Sequence, residues 1–376
     1  MTEQTVEGSA LPRSPLTSRQ EAAGARFEAY QGWQVASEYA GVETEYQALR
    51  NGAGLVDLSH RVRLRITGRD RRTWLHGQVT QDIKGLADGR ATYATLLTPQ
   101  GRMVCDLRVL ALPDALLLEA PAGTEVPIGE YLDRFLIMER AEIEDLTTDL
   151  AQISLHGPSA AAVAEKVLSI PITQLAPWSL TQIEYHGEEI TGVRMPRCGE
   201  DGIDLWVPAN LAGSLWDSLV QAGAPPVGWH ALNARRVEAG IPWWGEELEL
   251  SINPMEARLE HAIHFHKGCY VGQEIIARIE ARGHVNNLLA GFLIQGNDLP
   301  ARDAEIHHQG KRVGRLRTAL HSLGLERPIA LGYLRRELQE PGTRVQAVVA
   351  DREAIELEVT ALPFIPHASP QVPNLL

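Results

Sequence analysis

Cysteine is scarce in this sequence. Cys105, Cys198 and Cys269 are the three in 376 residues, and they lie far apart without a Cys-x-x-Cys pair. That spacing excludes a disulfide framework or a thiolate zinc site as the organising device. It fits a reducing compartment, so a cytoplasmic location is expected. Positive charge is also short: 35 Lys and Arg stand against 48 Asp and Glu, a formal charge of −13. Such a balance speaks against broad binding to nucleic acid or an anionic membrane surface, while leaving room for a local basic pocket. No run of about 18 apolar residues occurs, so no membrane-spanning helix is expected. Glu3 and Glu7 sit where a secretory signal would need apolar residues. Gly-x-Gly-x-x-Gly and Walker sequences are missing, which removes motif support for dinucleotide and nucleoside-triphosphate sites.

What is present is ordinary globular material, 44% hydrophobic and 22% charged, in a chain long enough for two or three cores. Residues 1–24 are polar and read as a disordered tail, and 367–376 as a second tail. Between them, short hairpins are interspersed with helices. Tyr93 to Leu97 and Met103 to Leu110 form one hairpin around Thr98-Pro99-Gln100-Gly101, and Ser179 to Met195 forms another. Asp70 is placed to cap a helix carrying Trp74 and Leu75. Long parallel repeats are missing, which predicts an α+β fold over 25–285. From 286 to 366 the pattern becomes short strands separated by turns, the signature of a β-barrel or sandwich.

The chemistry concentrates in Lys267-Gly268-Cys269-Tyr270-Val271-Gly272-Gln273-Glu274, followed by a helical run to Arg282 and a stop at Gly283. Glycines on both sides of a cysteine free the backbone for geometry that a β-carbon opposes. A nearby lysine and a helix start both favour a thiolate, which makes Cys269 a candidate reactive group with Lys267 tuning it. An ordinary turn with a half-buried cysteine has the same spelling. His261, His264 and His266 precede it, and Ile263-His264-Phe265-His266 alternates as a strand with two histidines on one face. That also describes a solvated strand, and no closely spaced thiolate or carboxylate accompanies it, so no metal is assigned. Glu200, in the loop Pro196 to Gly202, can accept two donors from a heterocycle or cap a turn. Arg236, close to Glu238 and Trp244, can bind a ligand carboxylate bidentately or form a structural ion pair.

The stretch 267–274 closely resembles the signature of YgfZ-type tetrahydrofolate-binding proteins, a family that supports iron–sulfur cluster assembly and repair. The wider frame resembles the glycine cleavage T-protein (aminomethyltransferase) superfamily. Gly-Leu-Val-Asp-Leu-Ser-His at 54–60, Gly-Glu-Asp-Gly at 199–202, Arg-Val-Glu-Ala-Gly-Ile-Pro at 236–242 and Asn-Pro-Met-Glu-Ala at 253–257 follow its order. The resemblance implies two interwoven α+β domains and a β-barrel arranged as a three-domain ring around a folate cavity. It also implies Glu200 at the pterin edge and Arg236 at the aminobenzoyl-glutamate end. Glu238 and Trp244 complete the candidate folate contacts. Gly268, Tyr270, Gly272, Gln273 and Glu274 are the support of Cys269.

One departure bears on activity. T-proteins read approximately Gly-Gly-x-x-Asp-Asp-Leu where this chain reads Gly101-Arg102-Met103-Val104-Cys105-Asp106-Leu107. A neutral thiol in place of the first carboxylate weakens the case for acid–base transfer chemistry. The expected function is therefore a tetrahydrofolate-binding accessory protein for iron–sulfur client or assembly proteins, acting through Cys269. A folate-dependent aminomethyltransferase is the alternative, and an interaction scaffold without folate is a third reading.

Overall fold

In the computed structural model of the chain, residues 10–169, 171–348 and 353–366 are described. Two antiparallel-rich sheets and a barrel carry the architecture. The first sheet orders its strands Arg90–Leu97, Met103–Ala111, Leu116–Ala120, Val62–Thr67 and Glu142–Asp145. The second orders Leu180–Tyr185, Glu188–Arg194, Gly202–Pro208, Leu150–His156, Gly54–Asp57 and Pro226–Val227. Gly54–Asp57 pairs with Leu150–His156 in the second sheet, yet the next strand, Val62–Thr67, lies in the first. The chain thus passes from one body to the other and back, which is the interweaving expected of an α+β fold of this type. Six strands from Asn287–Ile294 to Ile355–Thr360 close into the C-terminal barrel.

Alternation along Met103–Ala111 decides where the first sheet keeps its core. Met103, Cys105, Leu107, Val109 and Ala111 are all buried with Leu64, Ile66, Trp74 and Leu75. Leu110, of the opposite parity, packs instead with Leu117, Val193, Met195 and Trp206, on the side facing the second sheet. A strand buried on both faces gives a nearly continuous apolar run. The polar residues interrupting that run therefore need a partner or a purpose.

The hairpin turn at 98–101 is held by Gly101 N donating to Thr98 O at 2.9 Å, with Gly101 at φ +70°. A β-carbon on Gly101 would come within 2.7 Å of Ile275 Cβ. One on Gly272, at φ +83°, would come within 2.7 Å of Thr98 O. These two glycines let the start of the helix Gln273–Arg282 press directly on the turn.

Three sequence expectations need correction. Residues 10–24 are built into the fold: Leu16 is fully buried with Leu55, Ile153 and Leu155, and Thr17–Ala22 is a short helix. Gln20 Nε2 there donates to Asp57 Oδ2 at 2.7 Å. One apolar anchor inside a polar segment is invisible to average composition. Residues 1–9 and 367–376, also read as tails, lie outside the described residues. The alternation at Ile263–His266 does not make a strand, because backbone there turns, with His264 N bonded to Thr80 O at 3.0 Å. Asp70 stands at the N-cap of Arg71–Gln78, but its carboxylate accepts from Arg140 N at 2.9 Å rather than from the helix.

Candidate functional site

A narrow pocket of about 30 Å³ opens on the face of the first sheet turned toward the second. Tyr93 and Arg108 are direct register partners on neighbouring strands and both line it. The Arg108 guanidinium carbon lies 5.3 Å from the Tyr93 ring centroid. His261 stacks on Tyr93 at 5.6 Å with 13° between the planes, and Trp178 stands 6.5 Å from the same ring. Pro196, Ile241, Pro242 and Leu259 complete the walls. Flat aromatic faces with a few polar atoms give this chamber walls on which a planar heterocycle can stack once they part to admit it.

Asp106 and Arg108 lie on this face of the strand, and of the two Arg108 lines the cavity. Asp106 is 4% exposed and its Oδ2 accepts from Tyr93 Oη at 3.0 Å, while its Oδ1 is buried without a hydrogen-bond partner among the described residues. Arg108 is 8% exposed; Nη1 reaches Glu119 Oε1 at 3.4 Å and Nε has no partner. Cys105 points the other way, into the apolar core, where burial pushes its thiol well above the usual range. The side chain at position 105 therefore has no place in the cavity. The weight placed on the missing aspartate is corrected: the carboxylate on the cavity side is the one this chain retains.

Behind Arg108 lies a buried ionic cluster that joins the two sheets. Glu119, on the first sheet, receives Arg61, Arg197 and Arg108. Arg197 also donates through Nε to Asp204 Oδ2, on the second sheet, at 2.8 Å. Ser154 Oγ donates to Asp204 and lies 2.6 Å from His156 Nε2. The arginines hold the Glu119 carboxyl well below the carboxylate range despite its burial. Because the pairs are fully buried, removing one partner would leave an uncompensated charge, so the cluster fixes the spacing of the two walls.

The stretch 267–274 is placed beside the helix Arg71–Gln78 rather than in this chamber. Lys267 Nζ donates to the carbonyls of His76, Val79 and Gln81, the last two at 2.6 and 2.8 Å, and lies 4.9 Å from the Tyr270 ring centroid. Burial pulls Lys267 down to about 7, while the three carbonyls favour its charged form. Its position is that of a cation closing a helix C-terminus. Val271 N bonds to Gly77 O at 3.1 Å, and Tyr270 N donates to Gln273 Oε1 at 3.1 Å. Glu274 lies exposed in the first turn of the following helix, and Gly268 has His76 Nε2 nearest at 3.8 Å from an added β-carbon. Cys269 is exposed, whereas Cys105 and Cys198 are buried. It precedes the Gly272 cap rather than sitting in the helix, and it is not among the residues lining the chamber.

The other sequence candidates fall into two buried networks. Glu200 pairs with Arg235, which also holds Glu238 at 2.7 Å. Glu238 accepts from Tyr46 Oη at 2.7 Å, Ser322 Oγ at 2.6 Å and Gly324 N at 3.0 Å. Arg236 is fully buried against Glu247 and donates to Ile241 O at 3.1 Å. Trp244 is 7% exposed in the main core. None of the four lines the Tyr93 chamber. A larger groove beside the barrel is lined by Arg102, Arg312, Arg315 and Arg335, each already within 4 Å of a carboxylate. Among the described residues no group of three or more His, Cys, Asp and Glu forms a metal site. Sequence reading singled out His261 for a different purpose and passed over Tyr93, Arg108 and Trp178. Asp106 and Arg108 at alternate positions of an apolar strand were the available signal.

The comparisons with known proteins cover the same frame. The GCVT N-terminal domain model matches residues 16–267, and the glycine cleavage T-protein C-terminal barrel domain model matches 288–365. An aminomethyltransferase of Chlorobium luteolum is 30% identical over 343 residues, 89% of this chain and 93% of that protein. One from Herpetosiphon aurantiacus is 30% identical over 361 residues, covering 94% and 98%. The crystal structure of glycine cleavage system aminomethyltransferase T from Bartonella henselae superposes with a TM-score of 0.88 at 25% identity, covering 95% of this chain and 99% of that one.

Proposed function

The chain belongs to the glycine cleavage T-protein family, and from that premise we propose that it is a folate-dependent one-carbon protein working in the Tyr93 chamber. Tetrahydrofolate is the cofactor that this family uses. When bound, it supplies the nitrogen atoms that carry a one-carbon unit. The residues present suit it: aromatic faces from Tyr93, Trp178 and His261, and a buried carboxylate oxygen with no partner of its own.

Aminomethyl transfer, the activity in the relatives' names, is the reading supported best, and the observation that carries it is Asp106. Its Oδ1 is buried without a partner behind the Tyr93 wall, and Tyr93 Oη fixes its orientation through Oδ2, so a ligand that displaces this wall meets a proton acceptor. The burial that leaves Oδ1 unpaired also keeps water from competing for it. Formation of methylene-tetrahydrofolate from an aminomethyl-lipoyl carrier tests this. Product is expected with the wild type and at least about a hundredfold less with Asp106→Asn. Tetrahydrofolate binding without any product would remove the transferase reading.

The second reading, a YgfZ-type accessory role for iron–sulfur client or assembly proteins, rests on Cys269. It is the exposed thiol of the three and sits on a loop anchored by Lys267. Client-enzyme activity in cells carrying Cys269→Ser tests this role, and full activity there would end it.

A further inference from the structure

Resting on the folate reading, we propose that Arg108 is the specificity residue of the chamber, recognising a carboxylate on the ligand while Asp106 takes an N–H donor from the same ligand. The resemblance places that carboxylate at Arg236. Arg236, however, is fully buried with Nε and Nη1 given to Asn233, Ile241 O and Glu247, and it does not line the cavity. Arg108 is the cation that lines the cavity.

Charge and hydrogen-bond inventory both point to an anion here. Three guanidiniums, Arg61, Arg108 and Arg197, converge on Glu119, and Arg197 alone of the three continues to Asp204. Three buried cations thus share two carboxylates. No ion pair joins Arg108 to Asp106 among the described residues, although both lie on one face of one strand. Arg108 Nε has no acceptor, and an unpartnered buried donor on a cation is costly unless a ligand supplies one. Tyr93 lies against the guanidinium and orients it without consuming a donor. Alternate positions on a strand are about 7 Å apart. Arg108 thus offers a ligand carboxylate an unmet donor at the cavity wall, and Asp106 offers an acceptor one alternate position along the strand.

Two sources supply such a carboxylate: the folate itself, through its glutamyl tail, or an amino-acid donor of the one-carbon unit such as an N-methylated glycine. Calorimetric titration separates them. The wild type and Arg108→Lys are each titrated with tetrahydrofolate, with its glutamyl diamide, and with sarcosine in the presence of 6-methyltetrahydropterin. Lysine keeps a charge for Glu119 but lacks the Nε donor. If the folate tail is the source, the diamide binds the wild type at least about tenfold more weakly than tetrahydrofolate, and the difference falls below about threefold in Arg108→Lys. If the donor is the source, sarcosine binds the wild type beside the pterin and about tenfold more weakly in the variant. Equal binding of tetrahydrofolate and its diamide by the wild type, with no binding of sarcosine, overturns the proposal and needs no variant to fold. Failure of every pterin to bind the wild type overturns the folate reading itself.

Discussion

Cys105 and Asp106 are consecutive in the chain and lie on opposite faces of the strand Met103–Ala111, one in the apolar core and the other bonded to Tyr93 Oη at 3.0 Å. The two positions should therefore respond to mutation in different currencies. Cys105→Ala should cost about 1–2 kcal/mol of stability through a small cavity and leave tetrahydrofolate affinity within about twofold. Asp106→Asn should leave the melting temperature nearly unchanged and abolish most transfer or tight binding. Thermal melts beside ligand titrations on both variants check this.

Lys267 and Cys269 should separate in the same manner. Loss of the ammonium in Lys267→Met leaves three carbonyls at the end of Arg71–Gln78 without their donor, at a cost of about 2–3 kcal/mol. Cys269→Ser, at an exposed position, should change stability by less than about 0.5 kcal/mol. Urea denaturation of the two proteins, with an unchanged m-value, is the measurement. A Cys269→Ser protein destabilised as much as Lys267→Met would show that the thiol is structural.

Arg236→Ala removes one partner of a fully buried pair and should destabilise the fold by about 3–5 kcal/mol. Replacing Glu247 as well should recover part of that loss, which a double-mutant cycle detects. Weakened folate binding by Arg236→Ala alone would then report a disturbed scaffold rather than a lost contact.

Acid should unfold the protein steeply. Burial holds His60 at about 3 and His156 at about 4, against about 6.5 when unfolded. Between those values the unfolded chain binds more protons, so this contribution is complete above pH 6.5 and is lost as the pH falls. Two such groups give a slope of about 3 kcal/mol per pH unit near pH 5. The melting temperature should drop sharply below pH 6, and His156→Gln should make the drop shallower.

Most elements were legible in the sequence because their signals are local. The hairpin at 93–110, the helix after Gly272 and the change to short strands near 286 follow from alternation, caps and turns. The family frame was legible from ordered motifs. The site was harder. Which of Cys105 and Asp106 faces the chamber depends on the sheet's parity relative to a second sheet formed by distant segments. Arg236 and Lys267 look like ligand-binding groups when read by residue type. Their partners, Glu247 and the carbonyls of 76, 79 and 81, are supplied by tertiary packing. His261 was noticed for its neighbours in sequence, whereas its place comes from stacking on Tyr93.

The Glu238 carboxylate gathers donors from Tyr46, Arg235, Ser322 and Gly324, and the carbonyl of the same residue accepts from Ile365 N at 3.1 Å. Limited proteolysis between the matched domains, at 283–287, should accordingly yield two bands on a denaturing gel that still elute as one particle. Expressed alone, the segment before the cut would carry a buried acid stripped of two of its donors. The barrel is thus inherited with the chamber, and a gene encoding the first half by itself would have to rewrite residue 238 first.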